Sequence, residues 1–274
     1  GSTDKTLKKI DDFKKKEKYS FSLKLIQQEN SGPGGSCNTG LDFAKGNYVG
    51  FLDCDDILLN NFKDIFNLIT NNKFDIIEFV FVSFLNENQI NIKNYKSLYN
   101  KLDGEYHLSQ ILGIIFARTN WYPFIRIYKK ILWHNIRFPT DKAYEDDMTI
   151  YKVYLKANNI FIVNQPVLAY RQHSMSITAK HTVKQLNDLI SFYWELDIND
   201  IYKNIFRLRL ARTISHFSFE LKQGKEDYKK ILLNQKKIVL NKNTTQILRK
   251  VDLFYYLTPK IYDFVNRIRL NLFK

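Results

Sequence analysis

The sequence predicts an α/β fold: a mostly parallel, doubly wound sheet flanked by helices, with a helical C-terminal extension. Three observations predict it. A short apolar run bounded by turn residues lies at residues 48–52, a longer one follows a helical stretch at residues 74–85, and helical periodicity continues almost unbroken beyond Thr182.

Taken in order, residues 5–18 are charged and helix-compatible, while residues 19–28 alternate into Phe21, Leu23 and Leu25 and read as a strand. Asn30-Ser31-Gly32-Pro33-Gly34-Gly35-Ser36 concentrates turn formers, with Gly35 or Ser36 placed to cap a short helix through Lys45. Gly46-Asn47 ends that helix, and Tyr48-Val49-Gly50-Phe51-Leu52 follows as a buried strand. A helix over about residues 60–71 leads into the apolar strand at 74–85. Between residues 105 and 135 a helical stretch gives way to Trp121-Tyr122-Pro123-Phe124-Ile125-Arg126, where Pro123 discourages an uninterrupted helix. Residues 144–155 return to helical spacing after an acidic start, 160–163 form a strand, and 166–170 lead into a polar loop. Gly224 and Asn241-Lys242-Asn243 are the expected breaks in the C-terminal helices, and a boundary near residue 180 separates a catalytic domain, 1–180, from a helical basic region, 181–274.

Composition narrows the function classes. With 274 residues, 45% hydrophobic, five prolines and ten glycines, the chain supports a sizeable core and fits neither a disordered nor a collagen-like protein. Two cysteines, Cys37 and Cys54, do not make a disulfide framework, so a reducing cytoplasm is the expected compartment. The formal charge of +14 is concentrated: residues 203–274 hold 17 Lys and Arg against 5 Asp and Glu, whereas residues 1–202 hold 25 against 23. From Ile205 onward the cations interleave with Phe206, Leu208, Leu210, Phe217, Phe219, Leu253, Phe254, Tyr255, Tyr256 and Ile268. That pattern suits peripheral attachment to an anionic inner leaflet, and equally a helical subdomain packed on the core. Membrane spanning and secretion are not expected, because no run approaches the roughly 18 to 20 apolar residues of a span and the start shows no apolar signal segment. High pI and many aromatics would also suit a nucleic-acid binder. No nucleic-acid motif accompanies them, so no nucleic acid is expected.

Asp53-Cys54-Asp55-Asp56 places three carboxylates in four residues at the end of a buried strand. Two unit charges roughly 4 Å apart repel by about 4 kcal/mol at an effective dielectric of about 20, a cost that a divalent cation removes. Hard oxygen ligands suit Mg²⁺ or Mn²⁺, and ligands bind at the carboxyl ends of strands in open α/β sheets. The same spacing also fits a turn in which Asp55 and Asp56 cap the next helix.

The stretch Asn30 through Leu41, then Ala44-Lys45-Gly46-Asn47-Tyr48-Val49, then Phe51-Leu52-Asp53-Cys54-Asp55-Asp56 resembles the central signature of family 2 glycosyltransferases. Gly1-Ser2-Thr3-Asp4-Lys5-Thr6 resembles the end of that family's second-strand motif. Ile136-Arg137-Phe138-Pro139 with Tyr144-Glu145-Asp146-Asp147 resembles its acceptor-side acidic motif, and Tyr170-Arg171-Gln172-His173-Ser174-Met175-Ser176-Ile177-Thr178 the loop that closes the catalytic domain. The resemblance implies a GT-A fold, Rossmann-like, and an inverting transfer of sugar from a nucleotide-diphosphate donor, a UDP-sugar, to a glycan or lipid-linked acceptor in bacterial surface-polysaccharide synthesis. Carried onto this sequence, it makes Asp55 the direct ligand of Mn²⁺ or Mg²⁺, with Asp53 supporting the metal or facing the donor ribose. Asp146 becomes the general base, with Glu145 its neighbouring alternative. Arg171 and His173 become groups near the diphosphate or the metal, and Asn38 and Gly32 belong to the donor-side segment. Without the resemblance, Glu145, Asp146 and Asp147 also read as acids in a helix's first turn, favoured by its dipole. Trp121, Tyr122, Arg126 and Lys129 could line the acceptor side, with core packing as the alternative for Trp121. His107, His134, His181 and His216 show no metal-ligand spacing.

Two departures stand out. The family's first strand and its two aspartates, one of which recognises the nucleotide base, have no counterpart ahead of Gly1, so the chain is expected to begin inside the catalytic domain and to bind donor weakly or not at all, with a non-catalytic scaffold role as the alternative. Cys37 stands where members often carry Arg.

Overall fold

The most apolar segment becomes the centre of the sheet. In the computed structural model, which describes residues 1–16, 21–96, 99, 102–173, 181–197 and 199–239, strand β3 (Ile76–Phe84) is buried on both faces over its first half. Ahead of it come helix α1 (Thr6–Lys16), helix α2 (Gly32–Phe43), strand β1 (Tyr48–Gly50), strand β2 (Ile57–Leu58) and helix α3 (Phe62–Thr70). After it come β4 (Gly104–His107), α4 (Leu108–Arg118), β5 (Arg126–Lys129), α5 (Ile150–Tyr154), β6 (Asn159–Arg171), α6 (Val183–Glu195), α7 (Ile201–Leu221) and α8 (Lys225–Val239).

The six strands run in the order β1-β5-β3-β6-β2, with β4 also paired to β6. The sheet is α/β but mixed rather than mostly parallel. Among the described residues only β3 and β6 pair in parallel, while β1–β5, β3–β5, β2–β6 and β4–β6 are antiparallel. A parallel pair needs a long crossover, usually helical, and β3 reaches β6 through a connection that contains α4. The strand read at residues 19–28 is absent over 21–28, where the backbone pairs with no strand and Phe21 and Leu23 are exposed. Alternation alone does not make a strand without a ladder neighbour.

Three boundaries also differ. The turn-rich segment from Gly32 is already helical, capped at Ser31. Residues 160–170 form one strand, not two pieces, because β6 absorbs Asn164, Gln165 and Pro166 at a register shift against Phe79 and Val80. Residues 145–149 are a turn, and α5 starts only at Ile150.

Within this apolar sheet sits a charge pair with no exposure. Glu78 on β3 and Arg126 on β5 are direct cross-strand partners, bonded at 2.8 Å. Tyr154 and Tyr99 hydroxyls donate to Glu78 at 2.5 and 2.7 Å, and Arg126 donates to Tyr154 Oη at 2.5 Å, the Tyr122 carbonyl at 2.6 Å and the Asn120 carbonyl at 2.8 Å. The C-terminal helices complete the same core. Phe206 of α7 meets Phe116 and Trp121 at ring-centroid distances of 6.2 and 5.2 Å, and α7 packs against α4, α6 and α8. Ile205, Phe206, Leu208, Leu210 and Phe217 are buried, and even Arg207 is buried over the Tyr193 ring. This part of the basic, apolar pattern is interior packing. Each such side chain contributes about 1.5–3 kcal/mol by burial. Residues 240–274, with Leu253, Phe254, Tyr255, Tyr256 and Ile268, lie outside the described residues. No described helix is long and apolar enough to cross a membrane.

Removing one member of the buried pair strands the other charge. Arg126→Ala is expected to lower unfolding free energy in urea by about 3–5 kcal/mol, whereas the double change Glu78→Leu with Arg126→Met recovers most of it. An Arg126→Ala loss below about 1 kcal/mol would show that the pair is not isolated from water.

Candidate functional site

The first acidic group is held at both ends. Phe51, two residues before Asp53, packs on Tyr128, Trp133 and Phe138 at 6.1, 5.2 and 5.6 Å. Asp56 N–H donates to the Asp53 carbonyl at 3.2 Å, and β2 then pairs with β6 through Ile57 and Ala169. Arg171, at the end of β6, donates its backbone N–H to Asp56 Oδ1 at 2.9 Å and its Nε to the Asp55 carbonyl at 3.0 Å. Its Nη2 reaches Glu87 at 2.7 Å, and its guanidinium lies 4.6 Å over the Phe84 ring. Arg171 therefore fixes the acidic turn as well as lying beside it.

His173 Nε2 stands 3.0 Å from Asp55 Oδ2. Residues 174–178 of the motif lie outside the described residues. Helix α3 is capped at Asn61, so neither Asp55 nor Asp56 serves as its cap. Burial pushes the Asp56 carboxyl up to about 6, against the Arg171 hydrogen bond, and its Oδ2 is buried without a partner among the described residues. Burial and then the Asp55 charge raise Asp53 as well.

The second group forms a tight turn. Tyr144 adopts a left-handed φ of 59°, a strained conformation for a tyrosine. Thr149 Oγ1 donates to the Glu145 carbonyl at 2.6 Å, Ile150 N–H to the Asp146 carbonyl at 2.9 Å, and Asp147 N–H to Asp146 Oδ1 at 2.8 Å. Because α5 begins at Ile150, these acids precede the helix instead of forming its first turn. Asp146 is half-buried, and burial followed by the charges of Asp147 and Glu145 raises its carboxyl well above the usual range. Asp147 is pushed up to about 6 by burial, opposed by Arg209, which donates to the Thr119 carbonyl. The Tyr122 hydroxyl, pushed up to about 12 by burial and by Asp146 and Asp147, belongs to the same side.

Helix α2 joins the two groups. Asn38 donates its amide to the Phe138 carbonyl at 2.8 Å and accepts from Phe138 N–H at 2.9 Å, clamping α2 to the chain that leads into the acidic turn. Gly32 opens the helix at φ 72°. Gly34 was not singled out in the sequence, yet a Cβ there would lie 2.4 Å from the Pro139 carbonyl and 3.3 Å from Glu145 Cγ. Only glycine allows that approach. Cys37 sits between the groups: burial, then Asp53, Glu145 and Asp146, push its thiol up to about 12. A polar cavity of about 420 Å³, lined by Gly1, Ser2, Thr3, Asp4 and Ser36 among others, opens beside α2.

Of the acceptor-side expectations, Trp121 takes its core-packing alternative, and those for Arg126 and Lys129 are corrected. Trp121 is 1% exposed in the core, Arg126 is the buried partner of Glu78, and Lys129 pairs with Asp75 at 3.1 Å.

Comparison with known proteins is consistent with this geometry. The model of glycosyl transferase family 2 matches residues 1–140, just over half of the chain. The chain belongs to glycosyl transferase family 2. Glycosyltransferase GlyG of Streptococcus pneumoniae serotype 4 is 23% identical over 191 residues, covering 65% of this chain and 60% of its own length. Glycosyltransferase GlyA of the same organism is 27% identical over 203 residues, 69% of this chain and 28% of its own length. The family 2 chain thus spans less than two thirds of these curated relatives. Crystal structures of S. aureus TarS share its GT-A fold at 22% identity. One has a TM-score of 0.60, covering 87% of this chain and 68% of that one; a second, in complex with UDP, has a TM-score of 0.59, covering 96% and 77%. The family match ends at residue 140, so the placement of Glu145, Asp146 and Asp147 rests on the geometry.

The setting of Cys37 has a direct chemical consequence, since only the thiolate alkylates readily. At pH 8 with limiting iodoacetamide, peptide mass spectrometry is expected to find the exposed Cys54 modified roughly a hundredfold faster than Cys37. Equal rates would place Cys37 outside the carboxylate cleft.

Proposed function

We propose that this chain transfers a sugar from a nucleotide-diphosphate donor, a UDP-sugar, to an acceptor hydroxyl with inversion at the anomeric carbon, in the synthesis of a bacterial surface polysaccharide. The observation that carries the reading is that both carboxylate groups are tied to the Phe138 segment: Phe51, two residues before Asp53, packs on Phe138, and Asn38 and Gly34 of α2 hold the chain from Phe138 into the Glu145 turn. Family membership and the UDP complex of TarS support it.

The donor side fits a divalent cation. It combines a carboxylate raised by burial and then by the Asp55 charge, a buried oxygen on Asp56 with no partner among the described residues, and an imidazole on Asp55. Asp55, Asp53 and His173 would hold Mn²⁺ or Mg²⁺, which when bound neutralises charge on the leaving diphosphate. Arg171 keeps the turn that carries Asp55 in place, and Gly32 and Asn38 position α2 beside the donor. The nucleoside end is assigned to the polar cavity next to Ser36.

On the acceptor side, Asp146 takes the proton from the acceptor hydroxyl. The acceptor oxygen bonds to the anomeric carbon from the face opposite the diphosphate as the bond to that diphosphate breaks. A carboxyl raised by burial and neighbouring charge is the stronger base for this step. Glu145 is the adjacent carboxylate that could substitute for it.

Asp146→Asn is expected to lower kcat by about 10²- to 10⁴-fold in a UDP-sugar transfer or hydrolysis assay, with donor KM little changed. Full activity in Asp146→Asn with loss in Glu145→Gln would move the base to Glu145, and full activity in both would refute a carboxylate base in this turn.

We also propose a cytoplasmic location with the basic C-terminal region against an anionic inner leaflet. Co-sedimentation with phosphatidylserine vesicles should exceed that with neutral vesicles and fall with salt. Equal binding to both would remove the membrane role.

A further inference from the structure

Two histidines without metal-ligand spacing in the sequence meet in the fold. His216 and Glu220 lie one turn apart on α7, so they share a face. His181 comes from the residue ahead of the α6 cap. Its Nδ1 lies 2.7 Å from Glu220 Oε2, and His216 Nε2 lies 3.6 Å from the same oxygen. All three candidate ligand atoms fall within 4.8 Å of one another.

We infer that His181, His216 and Glu220 form a Zn²⁺ site, separate from the Asp55 group and of different chemistry. Two imidazoles and a carboxylate make a borderline-soft donor set suited to zinc, whereas the cluster at Asp53, Asp55 and Asp56 is dominated by hard oxygens. Tetrahedral zinc with ligand bonds of about 2.0–2.1 Å separates its ligand atoms by about 3.3 Å; the 2.7 and 3.6 Å spacings to Glu220 bracket that value, and the third, within 4.8 Å, closes by rotation of the half-exposed His216 side chain.

The ligands are pre-set. The His181 ring stacks on Phe217 with centroids 3.8 Å apart. Thr182 closes a capping box with Gln185, which fixes the backbone beside His181. The side chains of His181, His216 and Glu220 are 22%, 38% and 42% exposed, so water can fill the fourth position. Metal binding displaces the hydrogen that His181 and Glu220 otherwise share. The site ties the start of α6 to the last turns of α7, and Phe217 carries that link to Tyr144, 5.9 Å away, at the head of the acceptor-side turn.

The test uses the full chain stripped of metal and titrated with Zn²⁺ against a chromophoric chelator at pH 7.5, with thermal unfolding read in parallel. One equivalent is expected to bind and to raise the unfolding midpoint. His216→Ala and Glu220→Ala should weaken binding by at least about tenfold and abolish the midpoint shift, with unchanged circular dichroism. His216→Gln reads the same loss if the alanine variant does not fold. Asp55→Asn should retain the equivalent. Failure of the parent chain to bind Zn²⁺, equally tight binding in the His216 and Glu220 variants, or loss of the equivalent in Asp55→Asn would each overturn the assignment.

Discussion

The pairing of Glu78 with Arg126 in a dry sheet constrains most of what surrounds it. Taking both ions out of water is tolerable only if nearly every donor and acceptor finds a partner. Arg126 meets that demand by drawing in the Tyr122 and Asn120 carbonyls and the Tyr154 hydroxyl, and Glu78 by accepting from Tyr99 and Tyr154. Tyr122 and α5 are thereby fixed to β3 and β5, and they bracket the turn that carries Asp146. An apolar pair of similar volume could match the stability without holding those loop carbonyls in place.

The first acidic group is set by different forces: the aromatic seat of Phe51, the Asn38 clamp on Phe138, and a close approach that Gly34 allows. Both acidic groups bear on Cys37, which adds no positive charge between them. A diphosphate entering such a field is repelled unless a cation comes with it. Burial raises the carboxyls of Asp53, Asp56 and Asp147, and neighbouring acids add to it.

Much of this was legible in the sequence, unevenly. The buried strand at β3 and the order of the acidic motifs were readable because long apolar runs and clustered acids are local signals. Their convergence was not, since it depends on Asn38, Gly34 and Phe138 meeting across a hundred residues. Residues 21–28 misled because alternation carries no information about whether a neighbouring strand exists. Asn164, Gln165 and Pro166 hid the continuity of β6, which survives there as a register shift. Glu78 inside Ile76-Ile77-Glu78-Phe79-Val80 was a readable anomaly, but its partner Arg126 was identifiable only from strand register. His181 and His216 gave no signal because α6 separates them in sequence while packing against α7 brings their ends together.

In the proposed reaction Asp55 and its neighbours form the metal and donor side, and Glu145, Asp146 and Asp147 face the acceptor. Anomalous diffraction from a crystal of this chain soaked with Mn²⁺ and UDP tests it most directly. A manganese peak is expected on the Asp55 carboxylate beside His173, with the diphosphate on the same side of Cys37. A peak on Asp146 or Asp147, with Asp55 unliganded, would contradict it.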